Sequence, residues 1–360
     1  MVKARTLLRA KLPLHLVPRP SPATPHSHRL AVHVADKDNA CNLYLASGSR
    51  VYHLQVPLLD AIVKGKENLL IPSDVQIVEA SLLDHCPHRA EVQSVCVSAS
   101  PYGGVLLAST DSFGRLVVVN LYSSTKGPSY TCCPQDVGVG EGSWSGCAFG
   151  PRQPSLVVVA RGMAKSIDLY DKDMHVRTLH TLQPPTAMTF LDGPFNGDGI
   201  SSGLVVTEAS QLSIWDLRAG ERNGCVQRIL GTLSGESLYA VCSSSDGMVG
   251  TGGSDRSITV FDSFKWTARS RWIGCLKYEV TGVTFSAIDK NFAYVHGLDY
   301  EVIGGVWKRE NKGNDVGGQL GFRGDSRWLG VDKCVGSDVL AGWCESGSIF
   351  VSEFVANMES

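Results

Sequence analysis

Apolar and polar residues alternate with period two through PHRAEVQSVCVSASPYGGVLLASTDSFGRLVVVNL, residues 87–121. A first alternating run is followed by a Ser-rich turn with Gly, a second run, a Gly turn and a third run. Period two puts successive side chains on opposite faces of a strand, so this stretch reads as three short strands joined by tight turns. The same frame returns at 42–56 (NLYLASGSRVYHLQV), 144–173, 187–217, 238–263, 280–308 and 328–354. Third strands end near 55, 120, 171, 216, 262, 308 and 353. Five of the six intervals lie within or close to the roughly 40–45 residues of a four-stranded propeller blade. The first interval is longer. An insertion over 57–72, PLLDAIVKGKENLL and the residues after it, followed by an alternating outer strand, DVQIVEASLL, accounts for the excess.

These units predict an all-β chain folded as one seven-bladed propeller domain over 1–360. A propeller has to close its ring, because an open end leaves a strand edge exposed. The last unit runs out at VANMES directly after its third strand, while TLLRAKLPLHLV near the N-terminus alternates like a strand. The missing fourth strand is therefore expected from residues 5–16, within a basic segment over 1–20 that closes the ring.

Several of these stretches resemble WD40 repeats: the His followed by an alternating strand and LLAS in 87–121, LASGS in 42–56, and Trp215-Asp216 closing the third strand of 187–217. Elsewhere the Trp-Asp slot holds Val119-Asn120, Tyr170-Asp171, Phe261-Asp262, Trp307-Lys308 and Ser352-Glu353, so the copies are divergent. In that family a His before the first strand, a Ser or Thr on the second, an Asp in the next turn and the third-strand aromatic form a hydrogen-bonded chain. The resemblance assigns such structural roles to His88 and Ser109, with Asp111 early in the turn and Val119 replacing the aromatic. It assigns them likewise to Thr207, Trp215 and Asp216, with Glu208 near the acidic slot, and to Thr251, Asp255 and Phe261. None is catalytic in the family, whose members serve signalling, RNA processing, trafficking, chromatin and ubiquitin ligation. The resemblance implies a fold and not an activity.

The formal net charge of −2 gives no overall pull toward nucleic acid or anionic membrane. Before Asp36 the chain carries Lys3, Arg5, Arg9, Lys11, Arg19 and Arg29 and no acid, which resembles a mitochondrial transit peptide. The closing-strand reading makes these cations solvated residues of an edge strand instead. Eleven cysteines, an odd number without a C-x-x-C pair, point to reduced thiols in nucleus or cytoplasm. No apolar run reaches the ~18 residues of a membrane span, and no Asn-x-Ser/Thr sequon occurs.

No H-E-x-x-H, G-x-x-x-x-G-K-[ST] or complete G-x-G-x-x-G occurs, and SSTK (123–126) lacks the companions of a catalytic S-x-x-K. Glycine clusters at 138–142 and 197–203 read as turns. His85, Cys86 and His88 lie close together without a second ligand pair, and Cys132-Cys133 reads as two free thiols. The expectation is no catalysis, no cofactor and no metal.

What remains is binding. The leading expectation is a protein-interaction scaffold, a monomer within a hetero-complex, touching other proteins through Trp144 and the insertion around Lys64 and Lys66; Trp144 reads equally well as a core residue. A second expectation rests on GLVVTEASQLSIWDLR (203–218), which resembles the sixteen-residue box by which WD40 substrate receptors of cullin-RING ubiquitin ligases dock their adaptor. By that resemblance Asp216 and Arg218 face the adaptor. Ala209 and Ser210 depart from the pattern, and Arg218 otherwise reads as a solvated residue ending a strand.

Overall fold

The computed structural model describes all residues except 1, 19, 36–38, 60–63, 67–68, 85, 100–103, 124–127, 137–142, 152, 192–202, 220–223, 233–234, 309–319 and 357–360. His85, nearly all of SSTK, and the glycines of 138–142 and 197–202 lie outside the described residues. Among the described residues there is no helix, and therefore none long and apolar enough to cross a membrane.

Seven sheets form a seven-bladed β-propeller. Each blade enters on an innermost strand. These are Leu30–Val34, Val92–Ala99, Ser145–Gly150, Pro185–Phe190, Leu238–Ser243, Val280–Phe285 and Trp328–Lys333, and together they wall a central channel of about 740 Å³. The middle strands are apolar on both faces because a neighbouring blade covers each face; Ala40–Ser47 and Val339–Cys344 are buried almost throughout. Outer strands such as Cys225–Leu230 are largely exposed, and here even Val226 and Leu230 face water.

The core accordingly lies between blades and not within one. Leu43, Leu45 and Leu54 of the first blade pack with Trp343 and Ile349 of the seventh. Phe292 and Tyr294 of the sixth meet Trp328, Phe350 and Phe354 of the seventh, with Tyr294 and Phe354 ring centroids 5.0 Å apart.

The ring closes through an N-terminal strand, Val2–Lys11, antiparallel to Ser348–Ala356, running from Val2 opposite Ala356 to Lys11 opposite Ser348. The strand overlaps the expected 5–16 but begins and ends earlier, at Val2 and Lys11. Pro13 explains the shift: it has no amide to extend the ladder, and its carbonyl instead accepts from the amides of Leu16 and Val17 in a turn. Two basic residues of this strand are solvent-accessible and ion-paired, and a third cation beyond it, Arg29, is buried. Arg5 meets Glu353 at 3.0 Å, Arg9 meets Asp74 at 2.7 Å, and Arg29 is buried with Glu91 at 3.4 Å.

The insertion travels further than the sequence suggests. Lys64–Lys66 and Leu69–Ile71 form a hairpin that extends the sixth blade, where Leu69 pairs in parallel with Gly321. Ser73–Asp74 then pairs in parallel with Leu8 and Arg9 of the closing strand. Only Glu79–Leu82 completes the first blade, so the outer strand expected over DVQIVEASLL is its C-terminal part alone. The chain thus straps the closing seam across three blades.

Candidate functional site

Polar residues lie buried near the turns that join the second strand of a blade to its third, where an alternating strand must reverse without water. In the second blade His88 Nε2 and Ser109 Oγ share a hydrogen bond of 2.8 Å, and His88 Nδ1 lies 3.3 Å from Asp111 Oδ2. The other Asp111 oxygen accepts from the amides of Phe113 and Arg115. Burial works against its charge, yet the bond from His88 and these amides hold the Asp111 carboxyl below its usual range. Three of the four family positions are thus assembled here around an Asp one step early, with no aromatic.

The fourth blade closes its turn differently. Trp215 Nε1 donates to Ser213 Oγ at 2.9 Å, Ser213 donates to Glu208, and Glu208 Oε2 accepts from the amides of Leu182 and Gln183 in the preceding linker. Thr207 stands outside that chain, bonded to the carbonyl of Ala187 and to Thr186. In the fifth blade Thr251 donates weakly to the Thr259 carbonyl, Phe261 is buried, and Asp255 binds Arg271 at 2.7 Å and the amide of Ser257. Asp255→Ala is expected to cost about 1–3 kcal/mol by leaving Arg271 and that amide without their acceptor, measured as a shift in urea midpoint.

The third blade carries an ion pair absent from the family pattern. Arg161 Nε lies 3.0 Å from Asp168 Oδ2, in contact but not aimed for a hydrogen bond, while Arg161 NH1 donates to the Asp136 carbonyl and Thr178 Oγ1 donates to Asp168 Oδ1 at 2.6 Å. Gly114 makes room for the guanidinium stem: a Cβ there would lie 2.5 Å from Arg161 Cδ, and its φ of +77° suits glycine.

Turning to surfaces, the links into each innermost strand and the turns between second and third strands share one end of the propeller. Trp144 sits at this rim, at the channel mouth, its indole lying over Gly146. It is half-buried, intermediate between the core and contact readings. His26, from the segment that follows the closing strand, reaches the same place: its ring centroid is 5.8 Å from that of Trp144 and 5.4 Å from that of Tyr239. Trp144 Nε1 and His26 Nδ1 have no hydrogen-bond partner among the described residues. Exposed Met163, Leu182, Ile273 and Tyr278 lie in turns and links of the same end. His26 and Tyr239 were not singled out by the repeat pattern; the pair of histidines in TPHSHRL, just ahead of the first innermost strand, is the only hint.

Arg218 folds back on Asp216, its Nε and NH2 each 3.1 Å from a carboxylate oxygen and its amide bonded to the same group. That bond, offset in part by burial, lowers the Asp216 pKa. Lys64 and Lys66 lie in the outermost strand of the hairpin on the sixth blade. That strand belongs to the sheet of the sixth blade, whereas Trp144 leads into the third.

Inside the channel, His28 and His296 face the lumen with pKa values pushed down by burial to about 4 and about 3. Asp332, which accepts from the amide of Val32, is pushed up by burial to about 6. Between pH 6.5 and 4 the unfolded chain binds protons on both histidines that the folded ring refuses, so stability falls on acidification. Asp332 acts oppositely below pH 6, where only the folded state holds its proton, but it is one group against two. Urea midpoints are expected to drop from pH 7 to pH 4.5, and His296→Gln is expected to flatten that slope.

Among the described residues no cluster of three or more His, Cys, Asp or Glu could hold a metal ion. Comparison with known protein families finds none that matches this chain, and comparison with curated proteins finds no matching relative.

Proposed function

We propose that this chain is a divergent WD40-type propeller acting as a non-catalytic scaffold, which presents the rim around Trp144 to a peptide or domain of a larger complex in a reducing compartment, nucleus or cytoplasm. The observation that carries this reading is the half-buried aromatic cluster Trp144, His26 and Tyr239 at the channel mouth, on the same end of the propeller as exposed Met163, Leu182, Ile273 and Tyr278. Partly desolvated aromatics with apolar neighbours carry disproportionate binding energy, and large apolar side chains left in water on one end of a rigid ring suit docking. Affinity capture of the full-length protein followed by mass spectrometry tests this. Trp144→Ala with Tyr239→Ala is expected to lose the wild type's dominant co-purifying protein by tenfold or more while keeping its thermal midpoint within a few degrees. Undiminished capture by a folded double variant contradicts it.

A second reading, a substrate receptor of a cullin-RING ligase, is favoured by the fixed, outward Asp216–Arg218 pair at the end of the third strand. Arg218 is exposed and Asp216 half-buried, so Arg218→Ala should change stability by no more than about 1 kcal/mol. Loss of the ligase adaptor from the captured material on Arg218→Ala supports this reading. Adaptor absent from the wild-type capture removes it.

A further inference from the structure

Cys96 and Cys147 bring their sulfurs to 3.5 Å across the boundary between the second and third blades. Among the described residues this is the one sulfur–sulfur contact. Cys132 and Cys133, adjacent in sequence, diverge: Cys132 is buried with its Sγ on the Lys172 carbonyl, and Cys133 is exposed. The close pair belongs to innermost strands, Val92–Ala99 and Ser145–Gly150, which lie in different sheets and meet through side chains alone. Both residues line the channel, Cys96 half-buried and Cys147 8 % exposed.

We infer that Cys96 and Cys147 are a peroxide-reactive dithiol that closes to a disulfide linking the second and third blades inside the channel. The sulfurs need approach by about 1.5 Å to reach the ~2.05 Å of a disulfide, a movement that side-chain rotation between two unbonded sheets can supply. The contacts of each sulfur and the resulting direction of its acidity assign the two roles. The two sulfurs share a contact in which either can donate, and the Cys147 thiol also reaches Ser94 Oγ and the Ala108 carbonyl, each at 3.8 Å; the contact with Cys96 holds the Cys147 thiol below its usual range against burial. Cys96 is pushed up by the same contact and by burial. Cys147 is therefore the attacking sulfur and Cys96 the resolving one.

In the first step the Cys147 thiolate attacks one oxygen of hydrogen peroxide. The O–O bond breaks, the sulfur becomes a sulfenic acid, and the departing hydroxide leaves as water with the proton that the thiol gave up. In the second step the Cys96 sulfur attacks the Cys147 sulfur. The S–O bond breaks, and the hydroxide leaves with the Cys96 proton as a second water. Two thiols and one peroxide give one disulfide and two waters. A dithiol reductant reverses the change by thiol–disulfide exchange. This inference stands apart from the partner-binding reading, since neither sulfur belongs to the Trp144 rim.

The test uses the full-length protein, reduced, desalted and treated at neutral pH with one equivalent of hydrogen peroxide. The sample is quenched in acid, then alkylated under denaturing conditions and mapped without reduction. The expected result is loss of two alkylatable thiols, a Cys96–Cys147 cross-linked peptide, and recovery of both thiols with dithiothreitol. Cys96→Ser is expected to leave a sulfenic acid on Cys147 that dimedone captures. Phenylarsine oxide, which bridges two close thiols with loss of water, is expected to protect both cysteines from alkylation in the native wild type and neither in Cys96→Ser or Cys147→Ser. Oxidation of exposed Cys133 while Cys96 and Cys147 stay alkylatable overturns the inference, as does a disulfide between any other pair.

Discussion

Deleting residues 1–11 is expected to abolish cooperative unfolding altogether, leaving a chain that aggregates or melts without a defined midpoint by circular dichroism. The strand Val2–Lys11 supplies the fourth strand of the seventh blade, and its Leu7 and Leu8 are 2 % and 1 % exposed. Each fully buried leucine contributes roughly 1.5–3 kcal/mol, and Val2 and Ala10 add to this. Phe350 and Phe354, which pack with Val2 and Leu7, would be uncovered at the same time, and Ser348–Ala356 would become a free edge. The sum rivals the ~5–15 kcal/mol of stability available to a whole folded protein. A gentler version, Leu8→Ala, is expected to cost about 2–5 kcal/mol while preserving a single transition. A deletion variant that melts like the wild type would mean that the ring is closed in some other way.

Asp168→Ala is expected to cost about 3–5 kcal/mol, because it strands the guanidinium of Arg161 in the third blade. Asp168 and Arg161 side chains are 1 % and 6 % exposed, so water cannot replace the lost carboxylate. Thr178, which donates to the same group, loses its acceptor as well. Removing both charges should be far milder than removing one: Arg161→Met with Asp168→Leu is expected to recover most of the loss, since the pair's attraction is largely offset by the cost of burying it. Urea midpoints of the two single variants and the double variant make a cycle. A single-variant loss below about 1 kcal/mol would place the pair in water.

Seven units were legible because period-two alternation and Gly/Ser/Asp turns are local signals. The need for a closing strand followed from counting strands against ring closure. Its bounds did not follow, since the alternation of TLLRAKLPLHLV runs on through Pro13 as if nothing stopped it. The strap was hidden for a different reason: the pairing of Leu69 with Gly321 joins residues far apart in sequence, and three-residue strands carry no periodicity of their own. The polar turns were half visible. His88, Ser109 and Asp111 meet as the repeat pattern suggests, but Trp215 takes its partner from Ser213 on its own strand. Arg161 and Asp168 end or interrupt the apolar runs SLVVVAR and SIDLY, where a charge facing inward looks in sequence like any solvated one. The rim cluster depends on His26 being carried across the channel mouth by a segment with no strand pattern.

The account rests on one closed ring whose N-terminal strand is part of the seventh blade, since a rigid binding face requires closure. Native-state hydrogen exchange of the unmodified protein tests this most directly. The amides of Thr6–Ala10 are predicted to exchange as slowly as those of Ile349–Glu353 opposite them, with both sets lost together as denaturant is raised. Exchange of Thr6–Ala10 at the rate of an unstructured tail, with Ile349–Glu353 protected without them, would contradict it.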